Sequence, residues 1–318
     1  MKTEEGRTTA VDEPVLPPPV RGKISPRKLR RARQRKAIAR FWAQFRTSKM
    51  GMAGLIILIF FSVMAISSIF ADKGRLDPTI TTNGPILAPP SLQYPLGTDD
   101  YGISVLSLVV EGSRISLFIG LVATVISMLL GSGIGIWSGY KAGIQDTSLM
   151  FVTDAFLVLP WLALAIVLAA IFGQNVWVII AIIGFTSWAG TARLVRAQVL
   201  SVKERTYIER SRALGASDWH VVSRHVLPNV MPVIFANTIL TIAIAILSES
   251  ALSFLGLGNP LQVTWGTIIE KAFRAGALTL GAWWWLLAPS ACIVLVVLAF
   301  TMVGFAFDDI VNPRIRER

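Results

Sequence analysis

Chemistry in this chain has few carriers. Its two histidines are His220 and His225 and its one cysteine is Cys292. A single cysteine excludes an intrachain disulfide and any cysteine-based cluster. In the apolar run 291–299 it reads as a small hydrophobe. No nucleophile, base and orienting group stand together, and no set of side chains has metal-ligand spacing. G-x4-G-K-[ST], the loop that cradles ATP phosphates, is absent from the chain. The chain is therefore expected to be no enzyme by itself and to call for no cofactor or metal. What remains is two carboxylates inside apolar runs, Asp154 and Glu249, and one well-patterned basic stretch at 203–229.

The elements that hold these residues are greasy. Of 318 residues, 53% are hydrophobic and 15% charged, with a formal charge of +11. Soluble domains carry about 25% charged residues, so the deficit argues against them and against a nucleic-acid binder. A helix crosses a bilayer core with roughly 20 apolar residues. Six segments meet that length: 50–71, 115–137, 149–172 (interrupted by Asp154 and Pro160), 176–192, 231–256 and 286–307. With six spans, 25 of the 30 basic residues fall on one side, in 1–49, 138–148, 193–229 and the C-terminal tail 308–318. Lys73, Arg75, Arg114, Lys271 and Arg274 fall on the other. That split predicts both termini in the cytoplasm, and an odd number of spans would scramble it.

Outside the spans, 1–26 has five prolines and reads as a disordered tail. Residues 27–49 read as a basic interfacial helix, or simply as a positive-inside anchor. The segment 72–114 reads as a polar extracytoplasmic loop. In 257–285, the amphipathic stretch 264–275 is a candidate to dip toward a cavity. Trp283-Trp284-Trp285 reads as an interfacial aromatic belt. Gly131, Gly135 and Gly139 make a smooth helix face, for a seam within the chain or with a second subunit. Pro160 is expected to kink the third span.

The loop 193–229 predicts a helix–turn–helix elbow beneath the membrane. Lys203 to Leu214 suits a helix, and Gly215 supplies the left-handed residue that ends it. Ser217 or Asp218 offers an N-cap for a second helix, with Pro228 marking its end. A DNA-reading role fails, because membrane spans leave within roughly ten residues of both ends and keep a recognition helix out of a major groove. A purely solvated loop fits poorly with Tyr207, Ile208, Leu214, Trp219, Val222 and Val226, which ask for a surface to pack against.

Glu209-Arg210-Ser211, then Gly215, then Leu227-Pro228 resembles the EAA loop of ABC importer permeases, departing from it at Arg210, Ser211 and His225. Residues 212–219 and 224–229 are similar to the second permease subunit of dipeptide and oligopeptide importers. So are Tyr94-Pro95-Leu96-Gly97-Thr98-Asp99, residues 113–117, and residues 249–258 with Trp265-Gly266. The branch usually has Gly-Arg-Asp where Gly102-Ile103-Ser104 stands. The end of the sixth span, residues 304–309, also departs from the pattern. The resemblance implies an all-α type I importer permease of six transmembrane helices in the cell membrane, with a core at 115–307. It implies a sister permease forming a heterodimer, two ATPase subunits, an extracytoplasmic solute-binding protein and a peptide substrate. Relatives carrying nickel or another small solute leave that alternative open.

By the same resemblance, Glu209 faces basic groups of the ATPase, with a surface pair to Arg205 or Arg212 as the structural alternative. Gly215 permits the turn, and Ala213, Leu214 and Trp219 supply the apolar seat, followed by Leu227 and Pro228. Asp154, Glu249 and Ser253 are placed in the bundle interior. They line a path, contact a peptide amine or join a structural network, and the last is favoured. A self-contained secondary transporter would need paired intramembrane charges and a repeat of broken helices. The halves show no convincing repeat.

Overall fold

The computed structural model describes residues 36, 39–70 and 84–311. The expected tail 1–26, most of the basic segment 27–49, part of the loop at 72–83 and the tail beyond 311 lie outside them. The chain forms two units. Of the first, 1–43, residues 36 and 39–43 are described and are helical. The second, 44–318, carries everything that follows.

Its described residues are almost entirely helical. Helix α1 is Lys49–Ser67 and α2 is Val105–Lys141. After Ala142 come α3 (Gly143–Val158) and α4 (Trp161–Phe172), then α5 (Val176–Thr186) and α6 (Trp188–Lys203). A short α7 (Thr206–Ala213) precedes α8 (Asp218–Val221). From α8 a π-helical turn, Val222–Val226, leads without a break into α9 (Leu227–Leu252). A second such turn, Ser253–Leu257, ends that span. Helices α10 (Trp265–Arg274) and α11 (Trp283–Val311) complete the unit.

Five of these stretches are long and apolar enough to cross a membrane alone, and α3 with α4 makes a sixth candidate bent by 89°. The bend has a local cause. Proline lacks an N–H and bars the residue before it from helical geometry, and Leu159 is extended at φ −67°, ψ 132°. The third span is thus a broken pair rather than a kinked helix. It still traverses the bundle. Lys203 Nζ donates to Tyr140 O at 2.6 Å, so the chain leaves and regains one end between α2 and α6. At the opposite end, Gln174 between α4 and α5 donates to Gly256 O at 2.7 Å.

Helix α2 is the axle. At 37 residues it is about 55 Å long, and α1, α5, α6, α9, α10 and α11 all pack on it. Its glycine row settles as a seam within the chain. A Cβ on Gly131 or on Gly135 would lie 2.6 Å from a backbone oxygen of α6, at Trp188 and Ala192 respectively. One apolar cluster gathers around Phe61, Trp265 and Trp285 at the N-terminal end of α2. A second surrounds Ile119, Ile179 and Leu252 at mid-depth. The third, around Val199, Ile208 and Val226, lies at the C-terminal end.

One expectation changes. Only Trp283 of the Trp triplet is exposed; Trp284 and Trp285 are buried under α10 and the 84–104 segment. Trp284 Nε1 donates to Thr98 O at 3.2 Å, which makes it an anchor for that segment rather than part of a lipid-facing belt. The amphipathic stretch at 264–275 is α10, and it does turn inward, burying Trp265, Ile268 and Ala272.

Candidate functional site

The elbow is tighter than its 37-residue loop suggested. Val195, Val199 and Val202 continue the apolar face of α6 against α2, so the helix runs on to Lys203. On the return side the chain is helical from Asp218. Only 204–217 is therefore a true elbow. Gly215 sits at φ +82°, the left-handed conformation the sequence predicts there. Ser217 Oγ accepts from His220 N at 3.3 Å and caps α8. Pro228 does not end a helix. It stands at the start of α9, directly after the π-helical turn and within one continuous helical run from Asp218.

The apolar residues of the elbow divide by direction. Ile208, Val221 and Val226 are fully buried in the cluster beneath it. Leu214 is 89% exposed and Trp219 79%, and Tyr207, Ala213 and Glu209 are exposed beside them. Contiguous exposed apolar patches are a general mark of interaction surfaces. Glu209 makes no ion pair among the described residues. Arg205 reaches toward Asn229 Oδ1 at 3.5 Å, and Arg212 lies over the Tyr140 ring at 4.8 Å. Leu227 is half-buried and Pro228 exposed one helix further on, away from the 213–219 turn.

Sequence reasoning missed the anchorage of this crest. Tyr140 Oη donates to Asp218 Oδ1 at 2.8 Å and Lys141 Nζ to Asp218 Oδ2 at 2.7 Å. One carboxylate at the start of α8 thereby holds the last turn of α2. Next to it, Arg196 grips Asp146 with two bonds of 2.6 Å, and Ser138 also donates to Asp146. Two-pronged charged contacts fix direction as well as distance. A push on the crest therefore reaches α2, α3, α6 and α9. The signal was faint in the sequence, because Tyr140 and Asp218 are 78 residues apart.

The intramembrane carboxylates part company. Glu249 is fully buried. Ser253 Oγ donates to its Oε1 at 2.8 Å and Ser116 Oγ to its Oε2 at 3.3 Å, with Ser250 Oγ at 3.4 Å. Ser116 in turn accepts from Trp265 N at 3.1 Å. This network pins α10 to α2 and α9. Asp154 does not face the interior of this chain. It is about half exposed on α3, paired with Arg193 of α6, because Thr153 takes the buried position of that turn. Among the described residues no group of acids, histidines or cysteine is arranged to hold a metal ion.

Residues 131–317 match the family described as binding-protein-dependent transport system inner membrane component. Residues 37–100 match the N-terminal TM domain of oligopeptide transport permease C. The chain is 35% identical over 276 residues to the dipeptide transport system permease protein DppC of Bacillus subtilis, covering 86% of this chain and 85% of that one. To the oligopeptide transport system permease protein OppC of the same organism it is 34% identical over 275 residues, covering 86% and 88%. Among solved structures, a chain of the inward-facing MetNI methionine ABC transporter superposes with a TM-score of 0.52 at 19% identity, covering 65% of this chain and 95% of that one. That likeness establishes a shared fold.

Proposed function

Since the chain belongs to the binding-protein-dependent permease family of ABC importers, we propose that it is one of two permeases of an ATP-driven peptide importer and is driven through its elbow. It spans the cell membrane with both termini in the cytoplasm. A sister permease completes the path, two ATPase subunits act from the cytoplasm, and a solute-binding protein delivers substrate from outside. Peptides are the substrate class because the similar dipeptide and oligopeptide permeases match 86% of the chain.

The observation that carries the reading is the crest itself. Leu214 and Trp219 stand in water while Ile208, Val221 and Val226 and the Tyr140–Asp218 contact tie the same turn to the spans. An ATPase groove that seats the crest differently in its ATP-bound and ATP-free states shifts the permease between its own states through those differential contacts. Glu209 is free to meet basic groups of that groove.

Purification from detergent tests this. The chain should bring down a second permease and an ATPase. Substituting Gly215 or Glu209 should abolish peptide uptake while leaving membrane insertion intact. Transport by the isolated chain without ATP would sink the reading.

A further inference from the structure

At the end of α2 opposite the elbow, a cavity of about 600 Å³ opens between the 99–103 turn and α10. Small-molecule sites run from about 300 to 1,000 Å³. Its wall carries both signs of charge: Asp99 and Asp100 on one side, Lys271 and Arg274 on the other. Asp99 is 5% exposed. Its Oδ1 accepts from Tyr101 N at 2.9 Å and Ile103 N at 2.7 Å, and its Oδ2 has no partner among the described residues. Lys271 is near enough to act electrostatically on both carboxylates, yet no ion pair joins it to either among the described residues. Arg274 is steadied by Glu270, one turn back on α10. Trp285 closes the cavity at 1% exposure, and its indole N–H is a buried donor with no acceptor among the described residues. Unmet donors of that kind are uncommon in folded proteins.

We infer that this cavity is an entry subsite for the zwitterionic backbone of a short peptide, its amine against Asp99 and Asp100 and its carboxylate against Lys271 and Arg274. A lone cation would meet Lys271, and a lone anion would meet the aspartates. A ligand with separated poles satisfies both walls at once. The apolar floor of Ile103, Val263 and Ile268 accepts side chains without selecting among them. The inference rests on the peptide-importer reading above and adds to it where the membrane subunits first hold the substrate.

The assembled importer in nanodiscs, without its binding protein, tests this. It is equilibrated with a radiolabelled dipeptide and with its N-acetylated and C-amidated forms, while the complete system in proteoliposomes is assayed for uptake. The wild type should bind the free dipeptide at least tenfold more tightly than either capped form. Asp100→Asn should erase the penalty for N-acetylation alone, and Lys271→Gln the penalty for C-amidation alone. Size-exclusion chromatography checks that each variant assembles. If one does not, the other carries the test through its own cap. A wild type that imports peptide but binds capped and free forms alike overturns the subsite and leaves the importer standing. Variants that discriminate as the wild type does overturn it equally. A complete system that imports no peptide overturns both readings.

Discussion

Ile208 and Trp219 lie eleven positions apart on one elbow, yet Ile208 is sealed in the apolar cluster and Trp219 is 79% exposed. Substitutions at the two separate folding from docking. Truncating a buried isoleucine removes contacts and leaves a cavity at a cost of about 2–5 kcal/mol. Ile208→Ala should therefore lower the thermal midpoint of the purified permease. Trp219→Ala should leave stability within about 0.5 kcal/mol, as exposed substitutions do, and weaken ATPase association at least tenfold in a titration. Unchanged association would remove Trp219 from the docking surface. Gly135 gives a third case. A Cβ there would meet Ala192 O at 2.6 Å, which backbone cannot evade cheaply. Overpacking of this kind costs about 1–3 kcal/mol, so Gly135→Val should unfold at lower temperature in a calorimetric scan.

In the proposed coupling, helices rather than single side chains would transmit movement of the crest. Tyr140 and Lys141 clamp the start of α8 to the end of α2 through Asp218. Tyr140→Phe removes one hydrogen bond, worth about 0.5–1.5 kcal/mol. The fold should survive, but a spin label at Leu214→Cys should become more mobile, with Cys292 replaced. A label spectrum identical to that of the parent would show that the clamp does not hold the elbow. This scale also marks what sequence can and cannot show. Gly215 and the N-cap at Ser217 announced the elbow, because helix ends are local events. Pro228 misled for the same local reason: proline both follows helices and opens them, and the π-helical turn before it left no mark in the sequence. Pro160 reads in the sequence as a kink, whereas the structure breaks the helix at Leu159 and bends the pair by 89°.

At the scale of the whole molecule, composition and charge carry most of the information, because a bilayer sorts residues by polarity alone. Burial inside the bundle escapes that logic. Trp284 and Trp285 have the composition of a lipid-facing belt and are buried under α10 instead, and Asp154 settles beside Arg193 instead of inside. Topology itself is open to direct test. Six crossings return the chain to its starting side, whereas five would not, and the contacts of Lys203 with Tyr140 and of Gln174 with Gly256 require the broken α3–α4 pair to count as a crossing. With 25 of 30 basic residues in the terminal segments, the 138–148 loop and the 193–229 loop, the positive-inside rule predicts that this side is the cytoplasm. Leu92, exposed in the segment before α2, then lies outside, and Leu214 lies inside. Cysteines placed at these two positions should respond oppositely to a membrane-impermeant thiol reagent. In intact cells Leu92→Cys should be labelled and Leu214→Cys protected, and in inverted vesicles the pattern should reverse. Labelling of both from one side would mean that the α3–α4 pair turns back within the membrane. Leu214 labelled from outside would place the elbow beyond the reach of any cytoplasmic ATPase.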